Sequence, residues 1–411
     1  MRMLALLVAA AGADDDAAQR RLWAWATAQG ADVSRIASRH FPGHGRGLAA
    51  PACEDGCADL LFFLPPSVLM SCADLVASDS FQLALGITNV DCNAADFDAG
   101  FSADNRLNVL GAFLAHEVLR GGRWAPYTDT LGEPTSPAYA VARGALGGEA
   151  AYVVAARRAK AAYHASSYAS RRLAAVAGDN LEFASMVAGA FRRKNASLDV
   201  DRCRRVALWA LFTVLNRAVE LGGRLGYSLV PFWDVINHGA PRHSKRFVTL
   251  RYDDGSVEYF QDGYRGGELF HNYSFQSACP MDWVTTYGFV PEDLVAASAA
   301  PPDDAAENAL GVWAPGCSDV VVRGVTYSVP GDEADLLAFA AASDDGARLA
   351  ATALAARADA LLPDAALAAG AAAADALDRD AAVVMRLERR ALLRALRRLP
   401  RGAGEDPRGE L

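Results

Sequence analysis

The segment Leu229-Val-Pro-Phe-Trp-Asp-Val-Ile-Asn-His238, taken with Gly266-Gly-Glu-Leu-Phe-His-Asn-Tyr273, constrains this chain more than any other stretch. An apolar strand runs into Asp234 and then into the polar pair Asn237-His238. Further on, a Gly-Gly-Glu turn leads into a second short apolar strand that ends on Tyr273, and Tyr287-Gly-Phe-Val290 follows it. Asn-His and Gly-Glu are common dipeptides. Their order, spacing and flanking strands give the combination its specificity.

Around this centre the hydrophobic pattern predicts a mixed chain. Leu22-Trp-Ala-Trp-Ala-Thr-Ala-Gln-Gly30 reads as an amphipathic helix ended by glycine. Phe41-Pro-Gly-His-Gly-Arg-Gly-Leu48 is a glycine-rich turn, and Leu60-Leu-Phe-Phe-Leu64 is a buried strand. Leu107 to Leu119 has helical spacing, and residues from about Tyr139 to Val219 are mostly helical. Phe247–Tyr252 and Val257–Phe260 read as strands joined by an Asp254-Gly255 hairpin. Pro301-Pro-Asp-Asp304 marks a linker to an alanine-rich helical region. In that region Val384, Leu387, Ala391, Ala395 and Leu399 form an apolar stripe. Arg386, Arg389, Arg390, Arg394, Arg397 and Arg398 occupy the opposite face, which is expected to be solvated.

A chain of 411 residues can bury a large core and is expected to hold two domains. With a net charge of −9 and a pI near 5.3, it has no basic footprint for nucleic acid. No apolar run reaches the length of a bilayer span, so no membrane is expected. The seven cysteines include no Cys-x-x-Cys pair and the seven histidines are scattered, so no metal site is expected. Four cysteines between Cys53 and Cys92 would permit disulfides, although buried free thiols are the favoured reading. Residues 1–13 have the layout of a signal peptide, and Asn195-Ala-Ser197 and Asn272-Tyr-Ser274 are glycosylation sequons. Location is therefore open between the cytoplasm, which an enzyme reading favours, and a secretory route.

The strand–Asn-His and Gly-Glu–strand–Tyr segments resemble the SET-domain protein methyltransferases, in the branch with the Rubisco large-subunit lysine methyltransferases and the actin-histidine methyltransferase. Gly45-Arg-Gly-Leu48 and Trp124-Ala-Pro-Tyr127 are similar to that branch's hairpin entry and Trp-x-Pro-Tyr segment. The resemblance covers roughly residues 22–295. It implies an α+β fold: a SET β-fold with a pseudoknot and a helical insert at about 107–228, then a C-terminal all-helical, substrate-recognising domain at about 305–400. It also implies S-adenosyl-L-methionine as cofactor, a protein substrate and a monomer. Gly45, Gly47, Arg193 (or Arg192), Asn237, His238 and Tyr287 would hold the cofactor, with Asp234 as a support. Tyr273 and Tyr287 would line the methyl-transfer channel as catalytic residues.

Methyl transfer from a sulfonium is an in-line displacement at carbon, so alignment is the protein's main task and can supply on the order of 7–11 kcal/mol. The acceptor would be a lysine or histidine nitrogen. In the resemblance, Trp233 and Asn195 fall where the histidine enzyme carries tryptophan and asparagine, so both are candidate substrate-binding residues. Two departures stand out: Ser274 follows Tyr273 where glycine is usual, and Cys279-Pro280 replaces a Ser-Asn step. They motivate an alternative, a degenerate SET module that binds a protein partner. A third reading, a secreted disulfide-stapled binding protein, follows from residues 1–13.

Overall fold

The computed structural model describes residues 17–42, 44–51, 58–86, 105–147, 150–163, 167–222, 225–239, 247–251, 254–262, 266–271, 273, 280–299, 318–323, 325–329, 333–359 and 376–399. The leader-like residues 1–13, Cys53, Cys57, Cys92, the Asn272 sequon, Ser274, Cys279, the 301–304 linker and Cys317 lie outside them. Two compact units emerge, each assembled from separated segments. The first comprises Met1–Pro134 and Asn180–Tyr273, the second Thr135–Asp179 and Ser274–Leu411.

In the first unit, residues 17–28 form a helix that stops before Gly30, whose φ of +92° suits only glycine without strain. Strands β1 (Ala37–Phe41) and β2 (Gly45–Ala50) pair antiparallel as a hairpin. The strand β3 (Ala58–Leu64) buries Leu61, Phe62 and Leu64. Short pairs β4 (Val219–Glu220) and β5 (Tyr227–Ser228) come next, then β6 (Asn237–His238). The expected hairpin is present as β7 (Phe247–Arg251) and β8 (Val257–Asp262). Asp254 Oδ1 accepts from the Ser256 amide at 2.8 Å, and Gly255 takes a φ of +89°. This pair extends onto β3 in the order β3-β8-β7, where Phe62 stacks on Tyr259 at 4.9 Å. Both rings are fully buried, a burial worth roughly 1.5–3 kcal/mol for a side chain of Phe size.

The Gly-Gly-Glu segment supplies β9 (Gly267–Glu268) and β10 (Phe270–His271). β9 joins β2 antiparallel, and β10 joins β6 parallel. The helix Asn105–Arg120 packs on Val200–Arg217. Gly111 makes this close approach feasible, because a Cβ there would lie 2.8 Å from Leu211 Cδ2 and 3.1 Å from its Cα. Asp199 caps the second helix by accepting from the Asp201 amide at 2.9 Å. Cys203 is a buried free thiol, but Cys72 is disulfide-bonded, which corrects the expectation of a free thiol there. Bridging depends on Cα separation and Cβ direction, which sequence spacing does not reveal.

The second unit contains the helices Pro137–Ala145, Ala150–Ala162, Pro280–Tyr287, Glu292–Ala299, Glu333–Ala341, Asp344–Asp359 and Ala376–Arg398. Two expectations are corrected here. The region 305–400 is not all helical: β11 (Ser318–Val322) and β12 (Val325–Val329) form an antiparallel hairpin. Their β-branched run, turning at Arg323, favours the extended backbone. The arginine face of Ala376–Arg398 is also not solvated, for Arg390 and Arg394 are buried and Arg386 and Arg389 half-buried. Arg357 donates to Glu388 at 2.9 Å, and Glu388 is 1% exposed. The helix is thus packed on both faces, one of them against Val322, Leu336, Ala350 and Leu354.

Candidate functional site

The centre of the first unit is the two-residue parallel ladder of β6 and β10, in which Asn237 faces Phe270 and His238 faces His271. Successive strand side chains point to opposite faces, so this ladder has two sides with different chemistry.

On one side, Asn237 lies over Gly47, where an added Cβ would sit 2.6 Å from Asn237 Nδ2 and 3.1 Å from the Phe41 ring. Nδ2 donates to Glu268 Oε1 at 2.7 Å. The other carboxylate oxygen of Glu268 is 2.8 Å from His44 Nδ1, and the His44 ring meets Phe270 edge-on at 5.4 Å. The β2–β9 register brings Glu268 there by pairing it with Ala49, and Leu269 N–H donates to the Leu48 carbonyl at 2.8 Å. Gly45, beside this group, holds a φ of +78° at the hairpin turn.

On the other side, the Tyr273 hydroxyl donates to the Ile236 carbonyl at 3.0 Å. Tyr273 N–H points at His238 Nδ1 at 3.4 Å, and the two rings meet edge-on at 5.3 Å. Accepting through Nδ1 makes His238 the neutral Nε2–H tautomer. Burial holds His238 down at about 4 and, with help from His238, holds His271 at about 4. Burial raises Tyr273 to about 12, so its phenol stays protonated. Trp233 meets His271 at 5.5 Å and Tyr259 at 5.4 Å, both edge-on. It is 6% exposed, and its Nε1 has no hydrogen-bond partner among the described residues.

Beneath the ladder, Asp234 is fixed by Tyr127, whose hydroxyl donates to Oδ2 at 2.7 Å. Arg217 Nη1 donates to the Asp234 carbonyl at 2.9 Å and lies 3.5 Å from Oδ2. Burial raises the Asp234 carboxyl while Arg217 and Tyr127 oppose that rise. Phe232, just ahead, takes φ +72°, an uncommon backbone for a bulky residue, and packs edge-on against Trp23 at 4.6 Å. This turn aims Trp233, Asp234 and Asn237 from a short stretch of chain.

The structure therefore gathers Gly47, Asn237, His238, Tyr273 and Trp233. Arg192 and Arg193 are exposed at the end of the helix Ser167–Lys194, with Arg193 Nη1 lying 3.6 Å from where a Gly189 Cβ would be. Asn195 is exposed, and its Oδ1 accepts from the Ser197 amide at 3.1 Å and hydroxyl at 2.7 Å. Tyr287 belongs to the second unit, where its carbonyl accepts from Thr135 at 3.2 Å and its ring lies 5.1 Å from Trp283. Pro280 opens the helix Pro280–Tyr287, a position that needs no N–H partner. Sequence reasoning missed Glu268, His44, His271, Tyr127 and Arg217. Of these, Glu268 and His271 sat inside the Gly-Gly-Glu–Tyr273 segment, His44 inside the glycine-rich turn and Tyr127 at the end of the Trp-x-Pro-Tyr segment, to which the pattern assigns no role in the site.

The fold is a SET-like α+β fold. No family model matches the chain, and no curated protein does. Among solved structures, the SET domain of LSMT bound to lysine and AdoHcy is similar at 13% identity with a TM-score of 0.62, over 93% of this chain and 90% of that one. Rubisco LSMT bound to AdoMet is similar at 13% identity and a TM-score of 0.60, over 92% and 90%. Rubisco LSMT bound to sinefungin and monomethyllysine follows at 14% and 0.58, over 92% and 90%.

Proposed function

We propose that this chain is an S-adenosylmethionine-dependent protein methyltransferase of the SET class, acting on a lysine or histidine side chain. The observation that carries the reading is the two-sided ladder, with Asn237 over Gly47 on one face and His238, His271 and Tyr273 on the other. The likeness of the fold to LSMT structures that hold AdoMet, AdoHcy and lysine supports it.

In this reading the cofactor lies against Gly45, Gly47, Asn237 and His238, with Arg193 as a further contact and the pseudoknot as the topology that holds Asn237-His238. The cradle fits such a group: Gly47 leaves the Asn237 amide uncovered by a side chain, and Asn237 Oδ1 has no partner among the described residues. When bound, the cofactor supplies an electrophilic methyl group. The chain's own residues align and desolvate the acceptor. Tyr273 commits its proton to the Ile236 carbonyl, which leaves the oxygen lone pairs to orient an acceptor N–H. His238 and His271, kept neutral by burial, add no charge that would repel a cationic group.

Lysine is the acceptor that the LSMT structures hold. The case for histidine rests on Trp233 as a broad buried indole of the kind that walls a flat imidazole ring. Asn195 adds less to a histidine reading, since its Oδ1 is engaged by Ser197. The proposed domains are a SET domain over 22–295 and a substrate-binding region over 305–400. Labelled-methyl transfer to whole-cell protein, with mass spectrometry of the modified residue, tests the function directly. Lysine must lose a proton near pH 10.4 before it attacks whereas histidine loses one near 6.5, so a rate climbing through pH 9 marks lysine and an early plateau marks histidine. Absence of any methylated product across lysates would overturn the enzymatic reading.

A further inference from the structure

Glu268 is a charged side chain only 10% exposed, and it has no sequence-level role beyond ending a glycine turn. Its two oxygens are spent separately, one on Asn237 Nδ2 at 2.7 Å and the other on His44 Nδ1 at 2.8 Å. A carboxylate offers only acceptors, so it can face only the NH2 end of the Asn237 amide. The flipped amide would set two oxygens against each other at that distance. With Nδ2 held, Oδ1 is forced to the other end of the amide, where it has no partner among the described residues. A carbonyl oxygen presented in this way pairs with a donor and rejects another acceptor. Gly47 is what lets the Asn237 amide sit close over β2 in this orientation, because a Cβ at 47 would lie 2.6 Å from Nδ2.

We propose that Glu268, braced by His44, is the positioning residue that fixes the Asn237 amide with Oδ1 outward, so that the pocket selects a ligand carrying an amino or ammonium group there. The inference rests on the cofactor reading above and deepens it: the amino-acid end of an S-adenosyl ligand is what the pocket would grip. Glu268 acts through Asn237 and touches no reacting atom. His44 sits at the exposed rim of the pair, with 39% of its side chain accessible, and restrains the carboxylate from swinging out.

The test is calorimetry on the full chain with two probes, S-adenosylmethionine and 5′-methylthioadenosine, which shares the nucleoside but lacks the amino-acid end. Glu268→Ala should weaken S-adenosylmethionine on the order of ten-fold, the cost of losing one well-placed polar contact, and leave methylthioadenosine unchanged. Glu268→Gln keeps an acceptor oxygen for Asn237 Nδ2 and should retain affinity within about three-fold, since the net gain from one neutral hydrogen bond is small. His44→Ala keeps both Asn237 and Glu268 but releases the brace on the carboxylate. It should show the same probe-selective loss at smaller size, which covers the case of Glu268→Ala failing to fold. Equal loss for both probes, no loss in either alanine variant, or Glu268→Gln behaving like Glu268→Ala each overturns the assignment while leaving the cofactor reading standing. Wild type binding neither probe overturns the cofactor reading, and this inference with it.

Discussion

The hydroxyl of Tyr273 donates to the main-chain carbonyl of Ile236 across 3.0 Å, which ties the end of one motif to the residue that precedes Asn237-His238 in the other. Neither partner is a charged group, and the phenol is pushed up to about 12 by burial, so the bond persists through the neutral range. Replacing Tyr273 with phenylalanine removes the oriented oxygen and keeps the ring against His238. Under the proposed methyl transfer, turnover should fall by about 10²–10⁴-fold with S-adenosylmethionine affinity little changed. Single-turnover rates measured beside calorimetry check this, and an unchanged rate would move the catalytic role to another tyrosine.

Gly47→Ala is a one-carbon change at a strand position without positive φ, so the backbone accepts it. The new Cβ would lie 2.6 Å from Asn237 Nδ2 and must displace that amide. We expect cofactor affinity to drop on the order of ten-fold with a small change in Tm. A large stability loss with intact affinity would show that Gly47 serves packing alone.

Asp234 carries the support beneath the site. Asp234→Ala strands Arg217 and Tyr127 in a buried setting and should destabilise the fold by about 3 kcal/mol, toward the low end for broken buried pairs because Arg217 is 26% exposed. Tyr127→Phe removes one hydrogen bond and should cost about 1 kcal/mol. Denaturant titrations of both variants provide the comparison, and equal losses would contradict it.

His271 links the site to acid stability. Its folded pKa, about 4, lies below the usual 6.5, so the unfolded chain binds the extra proton first as pH falls. Stability contributed by the neutral ring is complete above about pH 6.5 and is lost as pH falls toward 4. His271→Phe keeps an aromatic ring beside Trp233 and Tyr273 and should flatten the fall of Tm across that window. Thermal melts at several pH values read this out, and an unchanged slope would assign the acid loss to His116 or His238, which burial also holds at about 4.

In the second unit Glu388 and Arg357 form a buried pair, with side chains 1% and 12% exposed. Glu388→Ala should destabilise by about 3–5 kcal/mol because it leaves a buried guanidinium without its carboxylate. The double change Glu388→Met with Arg357→Leu should recover most of that loss. A double variant as unstable as the single one would mean that the pair organises more of the unit than its own contact.

Local chemistry makes several elements legible from the amino-acid order alone. Gly30 ends the first helix and Asp254-Gly255 turns β7 into β8, because a positive φ and an Asx turn are decided within a few residues. Asn237-His238 and Tyr273 stand out for the same reason, as polar residues closing short apolar strands. Tertiary structure alone decided the rest. Glu268 and His44 meet over Asn237 only because β2 pairs with β9 while β6 pairs with β10, and strand pairing between distant segments has no local signal. Pattern reading puts the arginines of Ala376–Arg398 in water, whereas the burial of Arg390 and Arg394 shows that the helix is covered on that face too. The grouping of Thr135–Asp179 with Ser274–Leu411 is of the same kind. Burial and pairing depend on which surfaces meet, and that is a property of the folded chain rather than of any stretch of its sequence.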